Sequence, residues 1–370
     1  MKTVLVLYGG RSGEHEVSLR SAASVVGNLD SRWNVLLGGV SKEGVWYLQS
    51  QEYSGDARKN SLPTLEITQN PEALMSVIPG KGIAAAGKLL AVDVVFPVLH
   101  GSFGEDGLLQ GLLENAMLPY AGAGVLGSSL SMDKDKVKRV WKEAGLPVVP
   151  SFTLGKENYM RSLREKPAGE NLLRAAEEEF GYPLFVKPSG AGSSVGISKV
   201  HNQSEAACAL EDAFRFDTKV LIEKAIRARE IECSVLGNFA PRAFTPGEII
   251  PSHEFYDYDA KYIDPDGARL LIPASLDAPT LDRIKSMAVE AYAAAEAEGM
   301  ARIDFFVEKD TGSVYINEIN TIPGFTSISM FPRMCAHDGL SYSDLLNELL
   351  ELGIQRFSQR AELLYSYQCS

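Results

Sequence analysis

The sequence predicts an α/β protein of two or three domains, and three observations carry that expectation. The first third alternates short buried strands with amphipathic helices, the order that favours a parallel sheet. The last third holds long strands in which polar and apolar residues alternate with period two. At 370 residues the chain can bury a large core and exceeds the usual size of a single domain.

The elements follow in order. VLVLY (4–8) reads as a buried strand, EVSLRSAASVVGNL (16–29) as a helix, VDVVFPVL (92–99) as a second buried strand and EDGLLQGLLENA (105–116) as the next helix. Between them, residues 50–90 are polar and rich in Gly, Pro and Ser, and read as a variable insertion. A new segment begins at SMDKDKVKRVWKEAG (131–145), a helix stopped by Gly145 and Pro147. Short strands and turns follow, among them PLFVKPSGAGSSVGISKV (183–200) and KVLIEKAI (219–226). The last third contains the helix LDRIKSMAVEAYAAAEAEG (281–299), the hairpin RIDFFVEKDTGSVYINEIN (302–320) and a final helix near 341–357. No internal repeat or low-complexity tract is present.

Composition narrows the function classes. Hydrophobic content of 45% and charged content of 23% are ordinary for a soluble globular protein. The 36 basic and 48 acidic residues give a net charge of −12, which disfavours nucleic acid as a partner. The four cysteines, Cys208, Cys233, Cys335 and Cys369, are scattered with no C-x-x-C, which suits a reducing cytoplasm and argues against a zinc knuckle. The N-terminal apolar run stops too soon for a signal peptide. The run LLAVDVVFPVL (89–99) is broken by an Asp and a Pro and is too short to span a bilayer. A soluble cytoplasmic protein without a membrane partner is expected.

Four turns that follow strands hold the candidate chemistry. In YGGRSGEHEVS (8–18), Gly9, Gly10 and Gly13 would leave backbone N–H groups at a helix start, where anions bind; a tight βα turn accounts for the same glycines. The G-x-G-x-x-G spacing of a dinucleotide site is absent. Glu14 is either a carboxylate favoured by the helix dipole or a partner for a ligand amine. HGSFGEDG (100–107) falls at the carboxyl end of a strand, where ligands bind in open α/β sheets; His100 is either structural or catalytic, and Glu105 and Asp106 are candidate helix caps. VKPSGAGSSVG (186–196) sets Lys187 ahead of a Gly/Ser loop. With Ser193, Ser194 and a second lysine, Lys134, it forms a candidate phosphate clamp, the alternative being a flexible hairpin turn.

The fourth turn is the hairpin with its continuation NEINTIPGFTSIS. A three-residue loop of Asp310, Thr311 and left-handed Gly312 would set Lys309 opposite Ser313, Asp304 opposite Glu318 and Arg302 opposite Asn320. Opposed like charges on one face of a sheet are destabilising. A cation between the carboxylates turns that repulsion into coordination, and oxygen-only ligands select Mg²⁺ or Mn²⁺. The pair therefore reads as a seat for metal bound to nucleotide.

HGSFGEDG, SMDK, VKPSGAGSSVG, YDYDAKY, RIDFF and NEINTIPGFTS, in this order and spacing, resemble the D-alanine–D-alanine ligases of the ATP-grasp superfamily. The resemblance runs from Val4 to about Leu352 and rests on HGxxGEDG together with the NExNTxPGxT segment. It implies three domains: an N-terminal parallel-sheet domain over 1–125 and two ATP-grasp α+β domains over 126–226 and 227–370, with ATP held between the last two. It implies a dipeptide ligase with a D-alanyl phosphate intermediate, serving cell-wall precursor synthesis, and a homodimer.

The residue roles it implies are these. Glu223, Lys224 and Ile226 grip the adenine, Glu230 takes the ribose and Phe306 joins the ATP site. Lys134, Lys187 and Ser194 contact phosphates, while Asp304, Glu318 and Asn320 hold two Mg²⁺ ions, for which Mn²⁺ can substitute. Glu14 takes the first D-alanine amine, with His100 beside it, and Arg302 with the Gly324 N–H stabilises the tetrahedral oxyanion. Lys261 and Ser329 hold the second carboxylate, next to Met330. Glu14, Ser193 and Tyr262 form a hydrogen-bonded set that ties a lid around 253–268 to the first domain. His15 and the pair Gly190–Ala191 stand where other members carry charge, and residues 50–90 exceed the shortest members. The competing expectations are an ATP-grasp ligase whose second substrate is D-lactate or D-serine, and a nucleotide-binding regulator without turnover.

Overall fold

An unbroken apolar run is buried on both faces, and this places the strand Lys2–Gly9 at the centre of the first sheet. The computed structural model describes residues 1–60, 62–165, 170–193, 195–251, 268–326 and 328–364. Lys2–Gly9 pairs in parallel with Trp33–Val40 and with Val94–Val98, as the βα order predicts, and a short antiparallel strand, Trp46–Leu48, finishes one edge. The helix His15–Asn28 covers one face.

Residues 50–90 are more structured than their composition suggests. They form the helix Gln51–Asn60 and a small antiparallel sheet of Met75–Ile78, Gly82–Ala85 and Lys88–Leu89. Met75, Ile83 and Ala85 join the core around Leu5 and Leu7, so few apolar side chains suffice to anchor it.

The second sheet is antiparallel, in the order Ser198–Val200, Leu184–Pro188, Lys219–Lys224, Ser151–Gly155. The helix Gln203–Ala213, capped by the Asn202 side chain, packs Ala206, Ala209, Leu210 and Ala213 into its core. The third sheet is also antiparallel, running Ala268–Leu271, Gly247–Pro251, Ala228–Leu236, Met300–Glu308, Val314–Asn320, with Arg242–Ala243 beside Ala228–Leu236. One face buries Ile303, Phe305, Val307 and Ile316 against the helices Ala278–Ala294 and Lys134–Glu143. The other face turns Arg302, Asp304 and Phe306 toward a cavity.

Helix boundaries shift where caps decide them. The helix expected over 105–116 starts at Leu108, because Glu105 to Gly107 form a turn in which Asp106 accepts from the Leu108 and Phe103 N–H groups. SMDK is a junction: Val125–Met132 is one helix, and Asp133 leaves the helical conformation and caps the next. Asp277 caps Ala278–Ala294 three residues earlier than periodicity alone suggests. The chain ends with Met330–His337, a helix not foreseen, and Tyr342–Ala361. Leu345, Leu346, Leu349 and Leu350 of the last helix lie in the core of the first sheet, and Trp33 Nε1 donates to Asn347 at 2.9 Å.

The hairpin corrects the expected loop. Glu308 N–H donates to the Ser313 carbonyl and Gly312 N–H to the Glu308 carbonyl, both at 2.9 Å, so the loop has four residues, Lys309–Gly312, with Gly312 left-handed at φ 71°. Val307 then faces Val314 and Phe305 faces Ile316, one residue away from the expected register. A bulge at Asn317 restores it, and Asp304 faces Glu318 as expected. The bulge also brings successive residues, Asn317 and Glu318, to the cavity.

Gly353 sits where the last helix crosses residue 120, and an added Cβ would overlap the Tyr120 carbonyl oxygen. Helix propensity favours alanine there by about 1 kcal/mol. Overpacking against backbone costs roughly 1–3 kcal/mol and should dominate. Gly353→Ala is therefore expected to lower the urea midpoint of unfolding, whereas an unchanged or raised midpoint would mean that the helix can move away from Tyr120.

Candidate functional site

Three adjacent strands of the third sheet align their carboxylates. Glu232 faces Asp304 across one pair, and Asp304 faces Glu318 across the next. Arg302 stands beside this row, with Nε and Nη2 each 2.7 Å from an oxygen of Asp304 and Nε 3.1 Å from Glu232. Burial opposes the guanidinium charge, but Asp304 and Glu232 outweigh it and hold the group well above its ordinary pKa. Asn320 donates to Asp304 at 3.0 Å, and Lys134 Nζ lies 3.7 Å from Glu318. The opposed carboxylates predicted from sequence are thus flanked by two fixed cations. Glu232 was missed, although the period-two pattern from Glu230 along AREIECSVL marks it as a residue of the same face.

The lysines come from two elements. Lys134 opens the helix Lys134–Glu143, and Lys138 lies one turn along the same face, while Val137 and Trp141 enter the core. Lys187 comes from the strand Leu184–Pro188. Glu223 lies between Lys138 and Lys187, 2.5 Å from each ammonium. Burial opposes its charge, yet the two lysines prevail and hold its carboxyl down at about 2. Lys134 Nζ also donates to the Ala191 carbonyl at 2.8 Å. The expected phosphate lysines therefore converge on one cavity of about 730 Å³, which Lys224, Ile226, Glu230 and Phe306 also line. Ser194 lies outside the described residues.

The turn at 9–13 is no general anion cradle, because Gly9 N–H donates to Ser18 Oγ and Gly10 N–H to the Val40 carbonyl, both at 2.8 Å. The turn leads to Glu14, which heads the helix without capping it and accepts from Ser193 Oγ. Glycine lets both loops approach it, since a Cβ at Gly101 (φ 73°) would overlap the Glu14 carboxylate as it is placed and one at Gly192 would press on it. Ser193 adopts a left-handed φ of 47°, a strained geometry held by that hydrogen bond. Tyr262 and Lys261 lie outside the described residues.

His100 is 4% exposed and bonded at both ring nitrogens. Nδ1 lies 2.9 Å from the Ile322 carbonyl, which can only accept, so Nδ1 carries the proton and Nε2 accepts from Ser21 Oγ at 3.0 Å. Burial lowers its pKa, which keeps the ring neutral. Glu105 accepts from Gly101 N–H at 2.7 Å and from Ile322 N–H at 2.9 Å, tying the two loops together instead of capping a helix. A second cavity of about 600 Å³ is lined by Glu14, His100, Gly324, Ser329 and Met330. Ser329 Oγ accepts from Thr326 N–H at 3.0 Å and sits against Gly324, where a side chain would crowd it. The two cavities share a wall that includes Ser193, Glu232, Arg302, Glu318 and Asn320.

The donor chemistry of the larger cavity beside this wall suits a hard dication. Three carboxylates (Glu232, Asp304, Glu318) against two cations (Arg302, Lys134) leave one negative charge, and every candidate ligand offers oxygen. Among the described residues no group of three His, Cys, Asp or Glu side chains is placed to hold a metal ion by itself.

Known proteins share both sequence and shape with this chain. Models of the D-ala D-ala ligase N-terminus and C-terminus match residues 3–123 and 140–351. A protein of Treponema denticola called D-alanine–D-alanine ligase is 47% identical over 364 residues, 97% of this chain and 98% of that protein. The solved D-alanine-D-alanine ligase of Coxiella burnetii superposes with a TM-score of 0.82 at 35% identity, covering 98% of this chain and 96% of that one. VanG D-Ala:D-Ser ligase of Enterococcus faecalis superposes with a TM-score of 0.80 at 36% identity, covering 95% and 99%. The chain belongs to the D-alanine–D-alanine ligase family, and its mixed α/β fold of several sheets is that of the family's solved members.

Glu105 makes the site sensitive to pH. Burial, and then the charge of Glu14, push its carboxyl from an ordinary 4.5 up to about 8. Between those values the folded protein binds more protons than the unfolded chain, so stability falls as pH rises through the window. Glu105→Gln removes the titrating proton and should flatten this part of the profile. Urea midpoints at about pH 5, 6.5 and 8 for both proteins measure it, and an equal fall in both would clear Glu105 of the effect.

Proposed function

We propose that this chain joins two molecules of D-alanine into D-alanyl-D-alanine using ATP, releasing ADP and phosphate, for peptidoglycan precursor synthesis. The observation that carries the proposal is the charged wall common to the two cavities. A phosphoryl donor on one side and a carboxylate acceptor on the other would meet at Arg302, Glu318 and Asn320. Family membership supports the same activity.

In the larger cavity, adenine lies by Glu223, Lys224 and Ile226, ribose by Glu230, with Phe306 in the lining and phosphates at Lys134, Lys187 and Ser194. In the smaller one, Glu14 takes the first D-alanine amine, with His100 beside it. Lys261 and Ser329 hold the carboxylate of the second, against Met330. The first carboxylate attacks the γ-phosphorus, ADP leaves and an acyl phosphate remains. The second D-alanine, its amine deprotonated, attacks the acyl carbon, and Arg302 with the Gly324 N–H carries the charge on the tetrahedral oxygen until phosphate departs. Arg302 suits this step because a guanidinium supplies charge without giving up a proton. Two Mg²⁺ ions, replaceable by Mn²⁺, would be held by Asp304, Glu318 and Asn320 and would neutralise phosphate charge. Ser193 joins Glu14 to Tyr262 of a lid that excludes water from the acyl phosphate.

The proposal includes the division into 1–125, 126–226 and 227–370 with ATP between the second and third parts, a homodimer, and a cytoplasmic location. No helix among the described residues is long and apolar enough to cross a membrane. The likeness to a D-Ala:D-Ser ligase keeps D-serine as a second reading for the nucleophile, with D-lactate beside it.

Phosphate release from ATP across a panel of D- and L-amino acids and D-lactate tests the activity, and product analysis with equimolar nucleophiles tests the choice. D-Alanine alone should support turnover, with D-alanyl-D-alanine as the main product at neutral and alkaline pH, since the attacking amine must first lose a proton. A main product containing D-serine or D-lactate overturns the assignment. Glu318→Gln should fold normally and lose about 100-fold or more in turnover, the scale of several kcal/mol of lost charge stabilisation. Near-normal turnover at saturating Mg²⁺ would remove Glu318 from the mechanism.

A further inference from the structure

Lys138 is 2% exposed and outside the lining of either cavity, yet one carboxylate separates it from the nucleotide cavity. Leu221 faces Lys187 across the second sheet, so Glu223 is the diagonal neighbour of Lys187 on the same face. Lys187 Nζ lies 2.5 Å from Glu223 Oε2 and 3.4 Å from Asn317 Oδ1, while Lys138 Nζ lies 2.5 Å from Glu223 Oε1. One carboxylate thus serves two ammonium groups, one facing the cavity and one behind it. With Lys187 as its only counter-ion, the 1%-exposed Glu223 would hold that lysine tightly, because parting a buried pair strands a bare charge.

We propose that Lys138 is a positioning residue for nucleotide binding: it neutralises Glu223 from behind and so lets Lys187 turn from Glu223 to a phosphate oxygen. This rests on the reading of the larger cavity as the nucleotide site. Lys138 touches no ligand and acts wholly through the other two residues. Its spacing from Lys134 supports this. Four residues apart on the helix Lys134–Glu143, the two lysines share a face, with Lys134 at the cavity wall and Lys138 one turn deeper.

A double-mutant cycle on the full-length protein separates this role from a general contribution to the fold. The probe is a non-hydrolysable ATP analogue with Mg²⁺ and no D-alanine, its affinity read by calorimetry, with thermal unfolding of each variant recorded without nucleotide. Lys138→Met should weaken the analogue by about 10-fold, the scale of one charged hydrogen bond to phosphate. In the Glu223→Gln background the same change should cost no more than about 2-fold, because Lys187 is no longer held. Lys138→Arg keeps the charge and should restore most of the affinity. The KM for D-alanine should stay within about 2-fold throughout. An equal loss in both backgrounds, or no loss in either, overturns the proposal. If Lys138→Met does not fold alone, the neutral pair Lys138→Met/Glu223→Gln still decides: it should bind the analogue as Glu223→Gln does, and a further loss of about 10-fold refutes the idea. Failure of the unsubstituted protein to bind the analogue would instead overturn the nucleotide reading.

Discussion

The guanidinium of Arg302 is the interaction on which the site depends. The row Glu232, Asp304, Glu318 crosses three neighbouring strands, and a sheet free of cations would splay or protonate such a row. Arg302 grips Asp304 with two parallel hydrogen bonds and reaches Glu232, both donors held in one plane. A lysine could neutralise one of these acids but could not span both with fixed geometry. The same guanidinium forms part of the wall between the cavities, so the charge that keeps the sheet intact also faces both compartments.

Two close approaches extend this wall into the first sheet. Gly101 and Gly192 let loops from different sheets close on the Glu14 carboxylate. Glu105 then fixes the first of these loops to the segment after Asn320 by accepting one N–H from each. His100 makes a parallel tie through the Ile322 carbonyl and Ser21. The smaller cavity is therefore assembled from contacts between sheets, and a shift of the first sheet would move Glu14 relative to Arg302.

Much of this was legible in the sequence, for identifiable reasons. Strands buried on both faces announce themselves as unbroken apolar runs, as Lys2–Gly9 does. Period two brought Asp304 opposite Glu318, although the expected register was right there only because a longer loop and the bulge at Asn317 cancel. Glycine spacing pointed to the loops that close on Glu14. The hidden features depend on packing between distant elements. Glu105 resembled a helix cap because its acceptor role needs Ile322, which lies 217 residues away. Lys138 was not singled out, because nothing local reveals Glu223. Asp133, which ends one helix and caps the next, gave a local signal, since aspartate is a favoured N-cap, but it lay inside a stretch read as a single helix.

The lysines at the larger cavity differ in how readily an incoming anion can take them. Lys134 sits 3.7 Å from the partly exposed Glu318 and donates its short hydrogen bond to a neutral carbonyl, so an anion displaces mainly a long, weak pair. Lys187 sits 2.5 Å from an acid that is almost wholly buried, where attraction is strong and desolvation large. Two lysines that look equivalent in sequence thus answer to different constraints. The first is available as it stands, whereas the second depends on what balances Glu223.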